Sequence, residues 1–360
     1  MVRQLKLFEL DDENDDDFVS VDTINKKNEL KVISLFSGCG GMDLGFTGGF
    51  DIFGRHYEKN PYEIVFANDI VQKACDTYTY NFGHGSYCCD IKELDYSKLP
   101  KADIVIGGFP CQDFSLAGKR RGFEAERGRL YLEMKKVIDY VKPIAFVAEN
   151  VDGIRKNKKN MENSPLDVII DDFKKSGYDV IYKPLNASSY GVPQNRVRII
   201  IIGIRKDIGK KIKYPKPTYG LDNENGLFTS KEAIDDLWDK IDKTEIKNHT
   251  TKDYSKAKFY PGKKMQGNNR ICADKPAPTI RAEHHGNIEA HYRTFNERDS
   301  QNMINWRRLS VRECARLQSF PDNFVFPCAS TDAYRQIGNA VPPILGWNIA
   351  RALYKSLYEE

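Results

Sequence analysis

The most reactive side chains stand at the ends of apolar runs. Residues 104–115 read IVIGGFPCQDFS, an apolar run that meets two glycines and then Phe-Pro-Cys-Gln. A buried strand that stops at Gly-Gly meets a tight turn. Pro110 restricts φ in that turn, and Cys111 follows it directly. A thiol on a stiffened loop beyond a strand end can act as a nucleophile if its surroundings activate it. A lone cysteine can equally be a small buried hydrophobe, the reading given to Cys75, Cys88, Cys89, Cys272, Cys314 and Cys328. Around Cys111 the glycines before it and Gln112, Asp113 and Ser115 after it describe a site loop instead. The run FVAENV ends in Glu149-Asn150. A carboxylate at the end of an apolar strand is costly unless used or paired, so Glu149 is a candidate general acid, with a capping acid as the alternative. Gln194-Asn195-Arg196-Val197-Arg198 enters the run IIIIG. Strand alternation puts Arg196 and Arg198 on one face, where two guanidiniums suit an anion or a polarised carbonyl; a solvated edge is the alternative.

Short apolar runs must position these groups. KVISLF (31–36), EIVFANDI (63–70), ADIVIGG (102–108), PIAFVAENV (143–151) and VRIIIIGI (197–204) alternate with stretches of helical period such as VQKACDTYTYNF and RLYLEMKKVIDYVK. That alternation predicts an α/β domain with a doubly wound, Rossmann-like parallel sheet. Ligands of such sheets bind beyond the carboxyl ends of the strands. After the first run comes Phe36-Ser37-Gly38-Cys39-Gly40-Gly41, after the second Asp69, and after YCC comes Asp90. A Gly-rich turn with later acids at strand ends fits a ribose-binding pair, though a plain strand–helix turn gives the same glycines. The pattern G-x-G-G lacks the dinucleotide fingerprint and the phosphate loop, so a nucleoside cofactor without a pyrophosphate, S-adenosylmethionine first, fits best.

The chain has 360 residues, 40% hydrophobic and 29% charged, as expected of a soluble globular protein. No apolar run reaches the ~20 residues of a membrane helix. The eight cysteines form no Cys-x-x-Cys pair and no histidines cluster at zinc spacing, so no metal and a reduced, cytoplasmic setting are expected. Net charge is +4, but residues 9–17 are strongly acidic, which leaves the body more basic. The expected domains are an acidic tail (1–29), a catalytic and cofactor-binding domain (30–205 plus 306–360) and a smaller, irregular domain (206–305). Ser310 with Glu313 is a capping box opening a helix. Residues 338–358 read as a final helix packed back on the first domain.

FSGCGGMDLGF, ANDI, CDI, GGFPCQDFS, ENV, QNRVRIIIIG, RRLSVRECARLQSFPDNF and QIGNAVPP occur in this order. Together they resemble the motifs of the DNA cytosine-5 methyltransferases of the bacterial restriction–modification type, from about residue 31 to 357 except 206–300. The resemblance implies an S-adenosylmethionine-dependent methyltransferase domain beside a target-recognition domain. It implies that Cys111 adds to C6 of a flipped cytosine, Glu149 protonates N3, and Arg196, with Arg198 nearby, holds the O2 side and the Cys loop; Gln112 joins this catalytic set. Phe36 would stack on adenine. Ser37, Gly38, Gly40, Gly41 and Leu44 would surround the methionine part, and Asp69 and Ile70 the ribose and base. Asp90 and Ile91 would take the adenine edge, and Gly108, Pro110 and Leu130 would line the pocket that Asn339 and Val341 close.

Ser115, Lys119, Arg120, Arg121 and Arg127 would contact DNA from a loop that Gly118, Gly122 and Gly128 allow to move, unless they are a solvated helix. Arg270, Arg281, His284, His285 and Asn287 are the candidate base and phosphate contacts of 206–305. The implied partner is double-stranded DNA, with a restriction endonuclease as functional companion; the protein is expected to be a monomer in the bacterial cytoplasm, associated with the nucleoid through DNA. Two alternatives remain: the tRNA-methylating branch, and a non-catalytic DNA-binding regulator, which the intact Cys111, Glu149 and Arg196 disfavour.

Overall fold

The structure is a computed structural model and describes residues 29–110, 130–156, 163–220, 225–252, 269–282, 291–293 and 307–359. Its first half alternates strand and helix: β1 (Leu30–Leu35), α1 (Gly41–Thr47), the hairpin β2 (Phe50–Ile52) and β3 (Arg55–Tyr57), β4 (Tyr62–Asp69), α2 (Gln72–Phe82), β5 (Tyr87–Cys88) and β6 (Ile104–Gly107). Then come α3 (Leu130–Val141), β7 (Ala145–Val151), α4 (Pro165–Lys175), β8 (Tyr178–Asn186) and β9 (Val197–Arg205). The remainder holds α5 (Ser230–Ile234), the short strands β10 (Asn269–Arg270), β11 (His291–Arg293) and β12 (Arg307–Arg308), and α6 (Val311–Leu317), α7 (Ser330–Asn339) and α8 (Pro343–Tyr358).

The central sheet has the order β5-β4-β1-β6-β7-β9-β8. Neighbours from β5 to β7 are parallel, while β9 runs antiparallel to both β7 and β8. This mainly parallel sheet with helices on its two faces is the α/β class that the alternation predicts. The reversed strand has a simple cause. Only residues 187–196 separate β8 from β9, too little chain for a crossover helix, so the two pair as antiparallel neighbours.

Period-two alternation divides the core. Val32, Ile104, Ile106, Ile200 and Ile202 meet Phe46 of α1 and Ile344, Ile349 and Leu353 of α8 on one face. Ile33, Leu35, Val105, Ile199 and Ile201 meet Met134, Val137 and Ile138 of α3 and Leu166, Ile169 and Phe173 of α4 on the other. Each such side chain contributes about 1.5–3 kcal/mol on full burial. The return of α8 is further fixed by the Tyr62 hydroxyl, which donates to Ala350 O at 2.9 Å. The single helix expected over 338–358 is two: α7 ends at Asn339 and α8 begins at Pro343. Consecutive Pro342 and Pro343 explain the break, because the residue before a proline avoids helical φ/ψ while proline is accepted at a helix start.

The predicted capping box is present: Glu313 N donates to Ser310 Oγ at 3.2 Å and Ser310 N to Glu313 Oε2 at 2.8 Å. A third apolar cluster joins Ala233, Ile234, Leu237, Ile271 and Ile280 to Leu309, Val311, Ala315, Leu317 and Ile337. The described parts of 206–305 thus share a core with α6 and α7. Among the described residues no helix is long and apolar enough to cross a membrane.

Asp43 of α1 is fully buried and accepts from the Tyr78 hydroxyl at 3.0 Å. Burial pushes its carboxyl up to about 6 against the pull of the Ser34 and Tyr78 hydrogen bonds. A pKa raised on folding stabilises at low pH, and that contribution is lost as pH rises through the folded value. Wild-type stability relative to Asp43→Asn should therefore fall between about pH 4 and 6, by on the order of 2–3 kcal/mol. Denaturant unfolding of the two proteins across that range checks it; a flat difference removes Asp43 as its source.

Candidate active site

The ends of β6 and β7 lie side by side. Phe109 is buried and Pro110 exposed. Asn150 Nδ2 donates to Phe109 O at 3.0 Å, and Asn150 Oδ1 accepts from Val151 N at 2.8 Å. The main chain that leads into Pro110 is thus tied to the end of β7. Cys111, Gln112, Ser115, Lys119, Arg120, Arg121 and Arg127 lie outside the described residues, as do His284, His285 and Asn287. Arg270 lies in β10.

Glu149 is 8% exposed, and its Oε1 stands 2.8 Å from Arg198 Nε. A Cβ added at Gly108 would come within 3.1 Å of Glu149 Oε2, so glycine there leaves the carboxylate its space. Arg198 also donates from Nη1 to Val197 O at 2.8 Å. Burial lowers its pKa, Glu149 opposes this, and Arg281, exposed nearby, lowers it further.

Arg196 differs from the sequence expectation. It is 1% exposed, and its guanidinium donates to Ile280 O at 2.9 Å, Gly338 O at 2.8 Å and Ala340 O at 3.0 Å. Those donors are committed to main-chain carbonyls, so of the two arginines it is Arg198 that pairs with the Glu149 carboxylate. Gln194, absent from the expected site, extends the clamp. Its Nε2 reaches Gln318 Oε1 at 2.6 Å, its Oε1 accepts from Ile280 N at 3.0 Å, and Gln318 Nε2 donates to Ala340 O at 2.6 Å. Arg196→Met would leave three carbonyls without this partner and should lower stability by about 3 kcal/mol or more. Chemical denaturation measures the loss; a change under ~1 kcal/mol contradicts the clamp.

On the other side of the sheet's carboxyl edge the Gly-rich turn and β4 meet. Phe36 (φ 53°) and Gly38 (φ 55°) both take left-handed backbone, which is uncommon for a bulky side chain. Ser37 N donates to Asn68 O at 2.9 Å, Gly38 N to Asp69 Oδ2 at 2.9 Å and Val71 N to Asp69 Oδ1 at 2.8 Å. Burial raises the Asp69 pKa, and the amide donors of Val71, Gly38 and Ile70 oppose this. Ile70 is 64% exposed. Cys89 N donates to Asp69 O at 3.1 Å, which brings Asp90 beside the same edge; Asp90 Oδ1 accepts from Lys92 N at 3.0 Å and Ile91 is buried.

A Cβ at Gly41 would lie 2.5 Å from Val341 O, so the segment between α7 and α8 seats on the turn. Asn339 is exposed there, Val341 is buried, and Leu44 and Leu130 are half-buried. Nothing lies within 4 Å of the Cβ position at Gly38. Open space beside Gly38, an uncovered Ile70 and an Asp69 carboxylate with spare acceptor capacity fit a nucleoside.

The buried-hydrophobe reading of the other cysteines holds for Cys75 and Cys314 but not for Cys88 and Cys272, which are exposed; Cys89 and Cys328 are half-buried. Cys88 lies on the two-residue edge strand β5, both of whose residues are exposed. Among the described residues no three His, Cys, Asp or Glu side chains gather as a cation-binding group.

A family model described as C-5 cytosine-specific DNA methylase matches residues 30–355. The chain is 36% identical to the Type II methyltransferase M.NgoFVII of Neisseria gonorrhoeae, covering 89% of this chain and 85% of that protein. It is 35% identical to the Type II methyltransferase M.BsuRI of Bacillus subtilis, covering 94% and 82%. A crystal structure of a DNMT2 mutant from Spodoptera frugiperda shares the fold, with a TM-score of 0.64 at 18% identity over 90% of this chain and 99% of that one. S-adenosylmethionine is the methyl donor that the family implies. The chain belongs to the C-5 cytosine-specific DNA methylases, enzymes that methylate DNA at C5 of cytosine.

Proposed function

We propose that Cys111, Glu149 and Arg198 carry out methyl transfer at one short DNA target, with residues 206–305 as the target-recognition region. The observation that carries this reading is the Glu149–Arg198 pair at 2.8 Å, held beside the main chain that leads into Pro110-Cys111. Cytosine C5 is too weak a nucleophile to react unaided. The Cys111 thiolate adds to C6 while Glu149 delivers a proton to N3, and the electron pair of the C5=C6 bond becomes enamine-like at C5. Arg198 donates to O2 and holds Glu149 in place. Bound S-adenosylmethionine supplies an electrophilic sulfonium methyl. With C5 methylated, its proton passes to water and the N3 proton returns to Glu149; the C5–H pair reforms C5=C6 as the Cys111–C6 bond breaks, and the thiolate returns. A stacked base cannot reach these groups, so the cytosine is flipped out at a cost of a few kcal/mol.

Phe36, Ser37, Gly38, Gly40, Gly41 and Leu44 hold the methionine and adenine parts of the donor. Asp69 and Ile70 hold the ribose and base, Asp90 and Ile91 the adenine edge, and Gly108, Pro110, Leu130, Asn339 and Val341 close the pocket. Gln112 assists the Cys loop. Ser115, Lys119, Arg120, Arg121 and Arg127, with Arg270, Arg281, His284, His285 and Asn287, contact DNA. No step needs a metal. A protective role beside a restriction endonuclease, in keeping with the Type II name of the relatives, and a monomer in the cytoplasm complete the reading.

Labelled methyl transfer to unmethylated genomic DNA and to bulk tRNA, followed by cytosine-conversion sequencing, tests this. Label at one short DNA motif supports it; label in tRNA alone overturns it. Asn150→Ala offers a finer check. Loss of the bond to Phe109 O removes about 1–1.5 kcal/mol of loop placement, a drop of roughly tenfold in the single-turnover rate. An unchanged rate means that the tether does not position Cys111.

A further inference from the structure

Two thiols meet at the end of β4, outside every family motif quoted above. Cys75, in the first turn of α2, is buried, and its Sγ donates to Asp69 O at 3.5 Å. Cys88, on β5, is exposed, and its Sγ donates to Ile70 O at 3.8 Å. The parallel pairing of β4 with β5 sets Cys88 opposite Asp69. The two Sγ atoms thus sit on the carbonyls of consecutive residues, 69 and 70, and both Cys88 and Ser86 bear on the Cys75 thiol. Ser86 Oγ in turn lies 3.4 Å from Ser37 Oγ, in the Gly-rich turn. Each thiol therefore steadies the main chain of a residue that holds the donor in the reading above.

We propose that Cys75 and Cys88 are a modification site: they close into a reversible disulfide when small-molecule disulfides accumulate, and the cross-link weakens donor binding. The Cys88 thiolate attacks one sulfur of the small disulfide and expels the other half as a thiolate. Cys75 then attacks the Cys88 sulfur of the mixed disulfide, and its proton leaves with the second small thiol. Two protein thiols are oxidised by two electrons, and one small disulfide is reduced to two thiols. The order of attack follows from access, because Cys88 is exposed and burial pushes the Cys75 thiol up to about 12. Closing the bond removes both S–H donors from Asp69 O and Ile70 O. A reducing cytosol keeps the pair open, so the site responds to oxidative load rather than holding the fold.

The effect on binding rests on Asp69 and Ile70 as donor-binding residues. The test treats the full-length protein with oxidised glutathione, maps alkylated peptides without reduction, and measures S-adenosylhomocysteine affinity by equilibrium binding. The expected result is a Cys75–Cys88 peptide pair lacking two hydrogens. Affinity should be lower by about tenfold, the scale of one or two lost hydrogen bonds. Dithiothreitol should restore it, and Cys88→Ser should be immune to the treatment. No joined peptide, or a joined peptide with unchanged affinity, overturns the proposal, as does equal loss in Cys88→Ser. Asp69→Ala in reduced protein separates the two readings: unchanged affinity there removes Asp69 as a donor contact, while the joined peptide still decides whether the disulfide forms.

Discussion

Cys111→Ser should reduce methyl transfer by roughly 10³-fold or more while S-adenosylhomocysteine affinity stays within about threefold of wild type. The two effects separate because Cys111 is not among the residues assigned to the donor, most of which lie on the Gly-rich turn, the end of β4 and the segment before α8. A serine hydroxyl stays protonated near neutral pH, and attack at C6 needs the anion. The Asn150 tether to Phe109 O at 3.0 Å is untouched by the substitution, so the loop should still be presented. Single-turnover transfer and equilibrium binding on the same preparation check both halves. Loss of donor binding would make Cys111 a pocket wall, and a rate within tenfold of wild type would end its role as nucleophile.

The fold was legible where burial leaves a continuous apolar run, as in β1, β4, β6, β7 and β9. It was not legible at β8, an edge strand whose middle residues Ile181, Tyr182 and Lys183 are exposed and mimic a loop. The direction of β9 was also hidden, because an apolar run has no polarity; only the short connection from β8 reveals it. The site divides in the same way. Glu149 and the Gly-rich turn were visible as anomalies, a carboxylate and glycines at strand ends. The difference between Arg196 and Arg198 was not, since two arginines two residues apart carry the same local pattern. What separates them is distant chain: Arg196 reaches Ile280 O and Gly338 O, 84 and 142 residues away. Asn150 was passed over for a similar reason. Its partner is a main-chain carbonyl 41 residues earlier, which no side-chain pattern announces.

Glu149→Gln should lower the methyl-transfer rate by roughly 10²–10⁴-fold with folding unchanged. Glutamine nearly matches the shape, and its carbonyl oxygen can still accept from Arg198 Nε, so the pair at 2.8 Å need not collapse. What the amide cannot do is deliver a proton to N3 and recover it later. The loss should therefore appear in the chemical step, with DNA affinity changed far less, a separation that single-turnover kinetics resolves. Arg198→Met is the companion. It removes the donor for O2 and leaves Glu149 buried without its cation, so both rate and DNA affinity should fall. Arg196→Met acts by another route, through the lost clamp on Ile280, Gly338 and Ala340, and its deficit should follow stability. A Glu149→Gln enzyme with near-normal turnover would assign proton delivery to water and leave Arg198 as the charged group that stabilises the adduct. If Arg196→Met instead kept its stability and lost only rate, the clamp would have to be read as part of the catalytic site.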